Sequence, residues 1–348
     1  MFWRILSVHP RSDSTDLVKL PDGAAQASQD EVPHEPVGAA QAVMEPTPAM
    51  HWRAWLLTDA PRSRGQAALG RAYRRWRRFA SNPLSLFGLA ILALLVALAV
   101  LGPLVAPHDP LRQVLSDRLL PPGSASHWLG TDQLGRDILS RLIYGARITL
   151  SIAVLVVLVV VPIGLLIGTT AGFFGGWIDN VLMRVTDIAL AFPKIVLALA
   201  FAAALGPGVM NAVIAISITA WPAYARLARA ETLRLVQADF IHVARLQGAS
   251  RARLLLRYIV PLCSSSVIVR ATLDMAGIIL TVAGLGFLGL GAQPPSPEWG
   301  FMVASGRNVL LEAWWVATIP GCAILAVSLA FNLLGDGLRD VFDPRHGD

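Results

Sequence analysis

The sequence predicts an all-α polytopic membrane protein with six transmembrane helices and with both its N- and C-termini in the cytoplasm. Hydrophobic residues fill 55% of the 348 positions and charged residues only 15%, whereas roughly a quarter of the residues in a soluble domain are charged. Several apolar runs reach the roughly 20 residues that a helix needs to cross a bilayer. No run shows the regular alternation of polar and apolar residues that a membrane β-barrel requires.

Arginine supplies almost all of the positive charge, because Lys19 and Lys194 are the only lysines. The arginines cluster at the ends of the apolar runs, and the net charge is +6. This placement fits membrane topology and anionic lipid headgroups better than nucleic acid, so we predict membrane lipid as a partner and no nucleic acid. The segments assigned to the inner side carry about three times as many basic residues as the outer ones, which sets the predicted orientation.

Two segments precede the first apolar run. Residues 1–65 mix Pro, Ala, Gln and acidic residues without apolar periodicity, which predicts a disordered cytoplasmic tail. Residues 66–82 place arginines on one helical face and apolar residues on another. The arginines are Arg71, Arg74, Arg75 and Arg78, and the apolar face holds Leu69, Ala72, Tyr73 and Trp76. The pattern predicts a basic amphipathic interfacial helix, with a solvated run of charges as the alternative.

Residues 83–348 form the predicted transmembrane domain. Asn82 and Pro83 give its first helix a good N-cap and a first-turn proline. The third span is the least clearly defined, because charged residues, among them Asp179 and Lys194, lie near its start. The six spans are predicted at about 84–106, 148–172, 188–205, 209–225, 264–291 and 313–335.

The loop 226–262 is a long polar connection between very apolar segments, and the orientation places it in the cytoplasm. Asp239 is predicted to cap a helix that runs to Gln247, and Gly248 follows where a left-handed residue is wanted. Ser250 is placed to cap the next helix. A short helix tethered to spans on both sides would move them when pushed. An ordinary helical hairpin has the same glycine and basic flanks, so the chemistry alone leaves both interpretations open.

The same loop carries a resemblance to a known family. The run Ala244-Arg-Leu-Gln-Gly248, with Pro261 thirteen residues further on, resembles the EAA motif of ABC importer permeases. The motif alanines fall on Val243 and Ala244, but His242 occupies the position of the glutamate. Neutral histidine cannot complete a capping box with Asp239, so weaker helix capping or a weaker contact with the ATPase is expected.

In that family the short helix is a coupling helix that seats in a cleft of the ATP-binding subunit. The resemblance therefore implies a set of coupling residues in this chain. They are Asp239, Phe240, His242, Val243, Ala244, Arg245, Leu246, Gly248 and Pro261.

Further stretches narrow the family. His127–Asp137, which continues into Leu139–Arg147, looks like the signature before the second span in peptide and nickel permeases. Phe287–Pro295 with Glu298-Trp-Gly300 looks like the end of the fifth span in the C-type subunit. The region from Ala80 to Pro110 also resembles that subunit, so the resemblance covers about residues 75–345.

The resemblance implies the type I ABC importer permease fold in a bacterial inner membrane. It also implies the partners: a B-type permease subunit, two ATP-binding subunits that use ATP and Mg²⁺, and an extracytoplasmic substrate-binding protein. The chain itself is expected to bind no cofactor.

The segment before the second span combines turn glycines with polar groups that can cap one another. They are Gly130, Thr131, Asp132, Gly135, Arg136 and Asp137, and they are predicted to lie at the extracytoplasmic mouth. Two roles are open. The residues could hold the mouth together, or they could contact a delivered substrate or its carrier.

Arg270 and Asp274 are the charged residues of the fifth span. A carboxylate at this depth is costly and marks either a pathway or a buried pair. The i, i+4 spacing favours a structural ion pair. Val282 stands where the family often carries a glutamate.

Several function classes have no support in the sequence. There is no Gly-x-x-x-x-Gly-Lys-[Ser/Thr] loop for ATP phosphates. No histidine pair has metal-ligand spacing, and no Ser/His/Asp set stands out, so we predict no catalytic residue and no metal. Cys263 and Cys322 are interpreted as small buried apolar residues.

These observations predict a transmembrane subunit that forms half of the translocation pathway of an ATP-driven importer. The alternatives are an ATP-independent secondary transporter or scaffold and, closer to the prediction, an export subunit. The pattern does not distinguish dipeptides, oligopeptides, nickel complexes, glutathione or peptide antibiotics as substrate.

Overall fold

The computed structural model describes residues 52–58, 63–124 and 126–342, with side chains from residue 55 onward. Within these ranges the chain forms twelve α-helices and, apart from two isolated bridges, no β-structure. The helices are α1 Trp52–Leu57, α2 Arg64–Ala80, α3 Pro83–Val105, α4 Ile138–Phe174, α5 Gly176–Leu190, α6 Lys194–Leu205, α7 Val209–Val236, α8 Asp239–Leu246, α9 Arg251–Leu254, α10 Val260–Phe287, α11 Trp299–Gly306 and α12 Trp315–Phe342. The predicted all-α fold class is confirmed.

The predicted tail 1–65 lies mostly outside the described residues. Its described part contains α1, so the expectation of a chain without regular structure is wrong there. The amide of Gln66 donates to the carbonyl oxygen of Trp55 at 2.8 Å, which holds α1 against the start of α2. This contact joins residues eleven apart and leaves no local pattern in the sequence.

The helix α2 forms in the segment predicted to be an interfacial helix, and its position on a membrane surface remains a prediction. The Ser63 hydroxyl caps it by accepting from the Gln66 backbone amide at 3.1 Å, and Phe79 is buried against the rest of the chain. Trp76 and Leu69 are exposed, as are most of the arginines.

Four helical segments are long and apolar enough to cross a membrane. They are α3, α4, the continuous segment 251–287 and α12, and a fifth is possible if α5 and α6 form one bent span. The helix α7, predicted to contain the fourth span, does not meet the same criteria of length and composition, because Asn211, Trp221, Pro222 and Arg226 dilute its apolar residues. The count of six spans remains a prediction.

Two helix boundaries differ from the expectation. The helix α4 begins at Ile138, well before the predicted second span, because Asp137 caps it and its first turns are buried against the preceding loop. The predicted third span is not one straight helix: α5 ends at Leu190, and α6 departs at 87°. Pro193 stands at the break, where it cannot donate a helical hydrogen bond.

The packing of α4 against α7 forms the most extensive contact between two helices. Gly164, Gly168 and Gly172 repeat every four residues on the α4 surface that faces α7. A Cβ atom on any of them would collide with α7, so the glycines allow the close backbone approach typical of membrane helices. The core continues where α10 packs against α12 and α4, and where α12 packs against α3.

The two cysteines differ in burial. Cys263 is buried, as predicted, but Cys322 is exposed, so the prediction was wrong for Cys322. Cys322 lies on an exposed face of α12.

Candidate functional site

The helix α8 is a short connection between two long helices, and one of its faces is anchored. Ile241 and Ala244 are buried in a small cluster with Leu254, Ile259 and Cys263. Phe173 at the end of α4 packs against this cluster, and the Arg245 guanidinium lies 6.0 Å from the centre of the Phe173 ring. Movement of α8 is therefore mechanically connected to both α4 and α10.

The opposite face of α8 is apolar and exposed. Phe240, Val243 and Leu246 follow one another at three-residue spacing, and Leu246 is 88% exposed. Asp239 and His242 are exposed as well. Exposed aromatic and aliphatic side chains on one helix face are typical of a protein contact rather than of a solvated charge run.

The start of α8 differs from the prediction. The N-cap is Ala238, whose side chain makes no cap hydrogen bond, and Asp239 is the first helical residue. Asp239 thus acts by its charge near the positive helix end instead of by capping. The C-terminal predictions hold: Gly248 has φ of +81°, and the Ser250 hydroxyl accepts from the Arg253 backbone amide at 3.3 Å.

A π-helical turn, Leu255–Ile259, joins α9 to α10. Pro261 is the second residue of α10, after Val260. A proline lacks the N–H that an α-helix would direct at the carbonyl oxygen four residues earlier, and its ring crowds that oxygen. The Val260 backbone amide instead bonds to the carbonyl oxygen of Leu255, which is the π pattern. Pro261 therefore lies outside α8, where it influences the geometry of the turn that leads away from this helix.

The polar residues predicted for the extracytoplasmic mouth form a buried network. We call Thr131, Asp132, Arg136, Asp137 and Arg141 the pre-α4 network, and all five are buried. Asp132 Oδ2 accepts from Arg136 Nε at 2.7 Å and lies 3.7 Å from Arg141 Nε. Asp132 Oδ1 accepts backbone amides of residues 134 and 136. The carboxylate is thus saturated by partners within the chain.

Other members of this network fix the backbone. The Thr131 hydroxyl donates to the carbonyl oxygen of Asp117 and accepts from the Leu120 backbone amide at 2.8 Å. Asp137 Oδ2 accepts from both the backbone amide and the hydroxyl of Ser140, at 2.7 Å each, which caps α4. Gly130 and Gly135 have φ of +78° and +69°, values that glycine adopts without strain.

A third buried carboxylate, that of Glu298, lies in the connection between α10 and α12. Glu298 is fully buried and caps α11, accepting the backbone amides of Gly300 and Phe301 at 2.8 Å each. Burial raises the pKa of the Glu298 carboxyl, and the two backbone hydrogen bonds lower it by less. Gly286 leaves the space for this side chain.

The predicted pair in the fifth span is present in the structure. Arg270 Nε donates to Asp274 Oδ2 at 3.0 Å, as the i, i+4 spacing indicated. Another ion pair, which the sequence did not reveal, joins α7 to α5. Arg229 donates two hydrogen bonds to the Asp179 carboxylate, of 2.5 and 2.6 Å. Fifty positions separate the two residues, so no local spacing could signal it.

Three residues that were not among the predicted site residues make contacts at or beside the pre-α4 network. Arg141 reaches Asp132 in the pre-α4 network, and Trp299 donates its indole N–H to the carbonyl oxygen of Leu142 at 3.0 Å. His108 lies beside Asp137 although 29 positions separate them. A charged residue within an otherwise apolar helix start was the available signal for Arg141.

Comparison with known proteins decides the family. The chain matches the family described as binding-protein-dependent transport system inner membrane component over residues 161–347. Residues 72–122 match the N-terminal TM domain of oligopeptide transport permease C. The chain belongs to the binding-protein-dependent transport permeases.

Relatives of the permease cover most of its length. It is 47% identical over 275 residues to the di/tripeptide transport system permease protein DppC of Pseudomonas aeruginosa, covering 78% of this chain and 91% of that protein. It is 43% identical over 290 residues to the probable D,D-dipeptide transport system permease protein DdpC of Escherichia coli, covering 83% and 97%. It is 42% identical over 296 residues to the glutathione transport system permease protein GsiD of Pectobacterium atrosepticum, covering 85% and 98%.

Among solved structures, the permease resembles the inward-facing MetNI methionine ABC transporter only distantly. The TM-score is 0.48 at 17% identity, with 58% of this chain and 97% of that chain covered. The family and the relatives confirm the resemblance drawn from the sequence. The permease is a multi-pass membrane subunit of a bacterial ABC transport system, and the relatives it matches are permease subunits rather than catalytic ones.

Proposed function

We propose that the permease carries di- and tripeptides into the cell as one half of an ATP-driven importer. The names of the relatives support this substrate class, because they are permeases for di/tripeptides, D,D-dipeptides and glutathione. The family description supports delivery by a separate binding protein. Residues 83–348 cross the inner membrane six times in this proposal, with both termini in the cytoplasm and α2 lying on the inner membrane surface.

The proposed assembly supplies what this chain lacks. A B-type permease subunit forms the other half of the pathway, and an extracytoplasmic binding protein delivers the peptide. Two ATP-binding subunits hydrolyse ATP with Mg²⁺, and this chain binds neither. The arrangement follows from a permease that has no phosphate-binding loop of its own.

The observation that carries the mechanism is the two-faced helix α8. Its exposed face, with Phe240, Val243 and Leu246, binds the ATP-binding subunit in our proposal. Its buried face, with Ile241 and Ala244, transmits movement to α4 and α10 through the cluster described above. Closure of the ATPases then pulls α8 and rocks the spans, which exposes the peptide site to the other side. Binding energy at one face thereby shifts a conformational equilibrium elsewhere.

The pre-α4 network holds the outer mouth in this proposal and does not bind the peptide. Its polar groups are buried and already bonded to one another, so a peptide would have to break those bonds to contact them. The Arg270–Asp274 pair is likewise proposed to be structural.

Two adjacent substitutions test the role of α8. Leu246→Glu and Gln247→Glu both add a carboxylate at an exposed position, but only the first removes an apolar side chain from the proposed contact. In the full complex reconstituted with its binding protein, we expect Leu246→Glu to weaken ATPase binding about tenfold or more, equal to about 1.4 kcal/mol. Peptide-stimulated ATP hydrolysis should fall with it.

The control Gln247→Glu should keep both properties. Full stimulation in Leu246→Glu, with the ATPases still bound, would contradict the coupling role of α8. Normal coupling combined with outward peptide transport would instead favour an export subunit.

A further inference from the structure

Two histidines and a carboxylate come together where α3 ends and α4 begins. His127 Nδ1 lies 2.9 Å from Asp137 Oδ1, and His108 Nδ1 lies 3.8 Å from Asp137 Oδ2. The two imidazole rings are 4.7 Å apart between their centres. One potential ligand atom from each of the three residues lies within 4.8 Å of the other two.

We propose that His108, His127 and Asp137 bind a divalent transition-metal ion, zinc by preference. Zinc takes imidazole nitrogen and carboxylate oxygen at about 2.0–2.2 Å in tetrahedral geometry, which places neighbouring ligand atoms about 3.3 Å apart. His127 Nδ1 lies 2.9 Å from Oδ1 of Asp137 and His108 Nδ1 lies 3.8 Å from Oδ2, and one ligand atom from each residue lies within 4.8 Å of the other two, so a single ion is within reach of all three residues. Three protein ligands leave the fourth position to water.

A buried nitrogen without a partner supports the site independently. Among the described residues, nothing hydrogen-bonds to His108 Nδ1, although this atom is buried. An unsatisfied buried polar atom is unfavourable, because it has lost its hydrogen bonds to water without gaining others. A bond from this nitrogen to a metal ion would remove that penalty.

The surroundings of His127 fit a metal ligand as well. Asp117 Oδ2 lies 3.9 Å from Nε2, on the far side of the ring from Asp137. Histidines that bind metals commonly donate their other N–H to a carboxylate. In the tautomer that carries its proton on Nε2, this N–H faces Asp117 and the Nδ1 lone pair is free for the ion.

The local charge balance permits a cation. The nearby guanidinium groups of Arg136 and Arg141 are both directed at Asp132, which leaves Asp137 and Asp117 for the ion. His108 also lines an open cavity of about 590 Å³ together with Tyr144 and Pro297. This cavity gives the ion and its water ligand a route from solvent.

The bound ion would join the end of one membrane helix to the first turn of the next. This inference goes beyond peptide transport and does not depend on it, because the site needs neither the peptide nor the ATPases.

The experiment uses the full-length permease, purified in detergent through a tag without histidine and freed of metal with a chelator. Titration with Co²⁺ should produce the visible absorption of a tetrahedral N/O site at one ion per chain, and Zn²⁺ should displace it. His108→Ala should weaken Zn²⁺ binding by at least about tenfold, the lower end of the cost of losing even an outer partner of a metal site.

The control is His242→Ala, which removes an exposed histidine from α8 and should leave the affinity unchanged. A thermal melt of the metal-free His108→Ala protein checks that the variant is folded, which separates a loss of zinc affinity from a loss of fold. X-ray absorption of the zinc-loaded parent should show two imidazole ligands and needs no variant. The proposal is overturned by equal affinity in His108→Ala and the parent, by no stoichiometric binding, or by fewer than two imidazoles at the ion.

Discussion

The pre-α4 network and α8 both contain charged residues, yet they are built in opposite ways. The network is buried, and each of its charges is matched by partners within the chain. The helix α8 anchors one face and leaves its apolar face and its charges exposed. Burial of its charges makes the network rigid but costs desolvation free energy. The exposed face of α8 can instead contribute binding energy to a partner. Substitutions in the network should therefore affect folding, whereas substitutions in α8 should affect coupling.

The largest expected effect is that of Asp132→Ala. The change leaves Arg136 and Arg141 buried without their shared carboxylate, and breaking a buried ion pair from one side costs about 3–5 kcal/mol. We expect a large loss of folded protein and of thermal stability in detergent. Asp109→Asn, an exposed position that can still accept the Leu111 amide, is the matched control. If Asp132→Ala is as stable as the parent, the pre-α4 network does not stabilise the segment before α4.

An intermediate and local effect is expected for Gly248→Ala. The space around Gly248 is open, so the cost comes only from its φ of +81°, about 1 kcal/mol for a residue with a Cβ atom. Opening of the α8 loop should become about fivefold more frequent, which trypsin cleavage at Arg245 and Arg251 reports. Gly284→Ala, at an open helical position, should show no increase. A large drop in the global unfolding temperature of Gly248→Ala would contradict the expectation that substitutions in α8 affect coupling rather than folding.

The smallest expected effect concerns Glu298 and pH. Burial raises the pKa of this carboxyl in the folded state. Folding therefore favours the protonated form, and the associated stability is present at low pH and lost as pH rises from the ordinary glutamate pKa through the raised folded one. Glu298→Gln cannot ionise, so its melting temperature relative to the parent should improve as pH rises across this window. A difference that is constant with pH would contradict the raised pKa.

Local features of the fold followed from the sequence where neighbouring residues determine them. The Asn82 cap, the left-handed Gly248, the Ser250 cap and the Arg270–Asp274 pair each depend on residues within four positions. The family resemblance depended on motifs of the same kind. Such features are decided by backbone geometry, which one stretch of sequence contains.

Features that depend on distant contacts could not be predicted. Asp239 was expected to cap α8, but the N-cap is one residue earlier, at Ala238, and Ile241 of the same helix packs into a cluster whose members outside α8 come from distant positions. His108 and His127 are nineteen positions apart and meet only because α3 and α4 bring their ends together. Pro193 marks the break before α6, but a proline by itself does not determine the 87° angle of the bend.

The π turn between α9 and α10 has a consequence for the phase of the helix. Because the turn holds one extra residue, every side chain beyond it is rotated by about 100° from its place on an uninterrupted α-helix. This offset brings Ile259 and Cys263 onto the same buried side as Leu254, while Tyr258 stays partly exposed. Removal of one residue between 255 and 259 would turn α8 around the axis of α10 instead of merely shortening the connection.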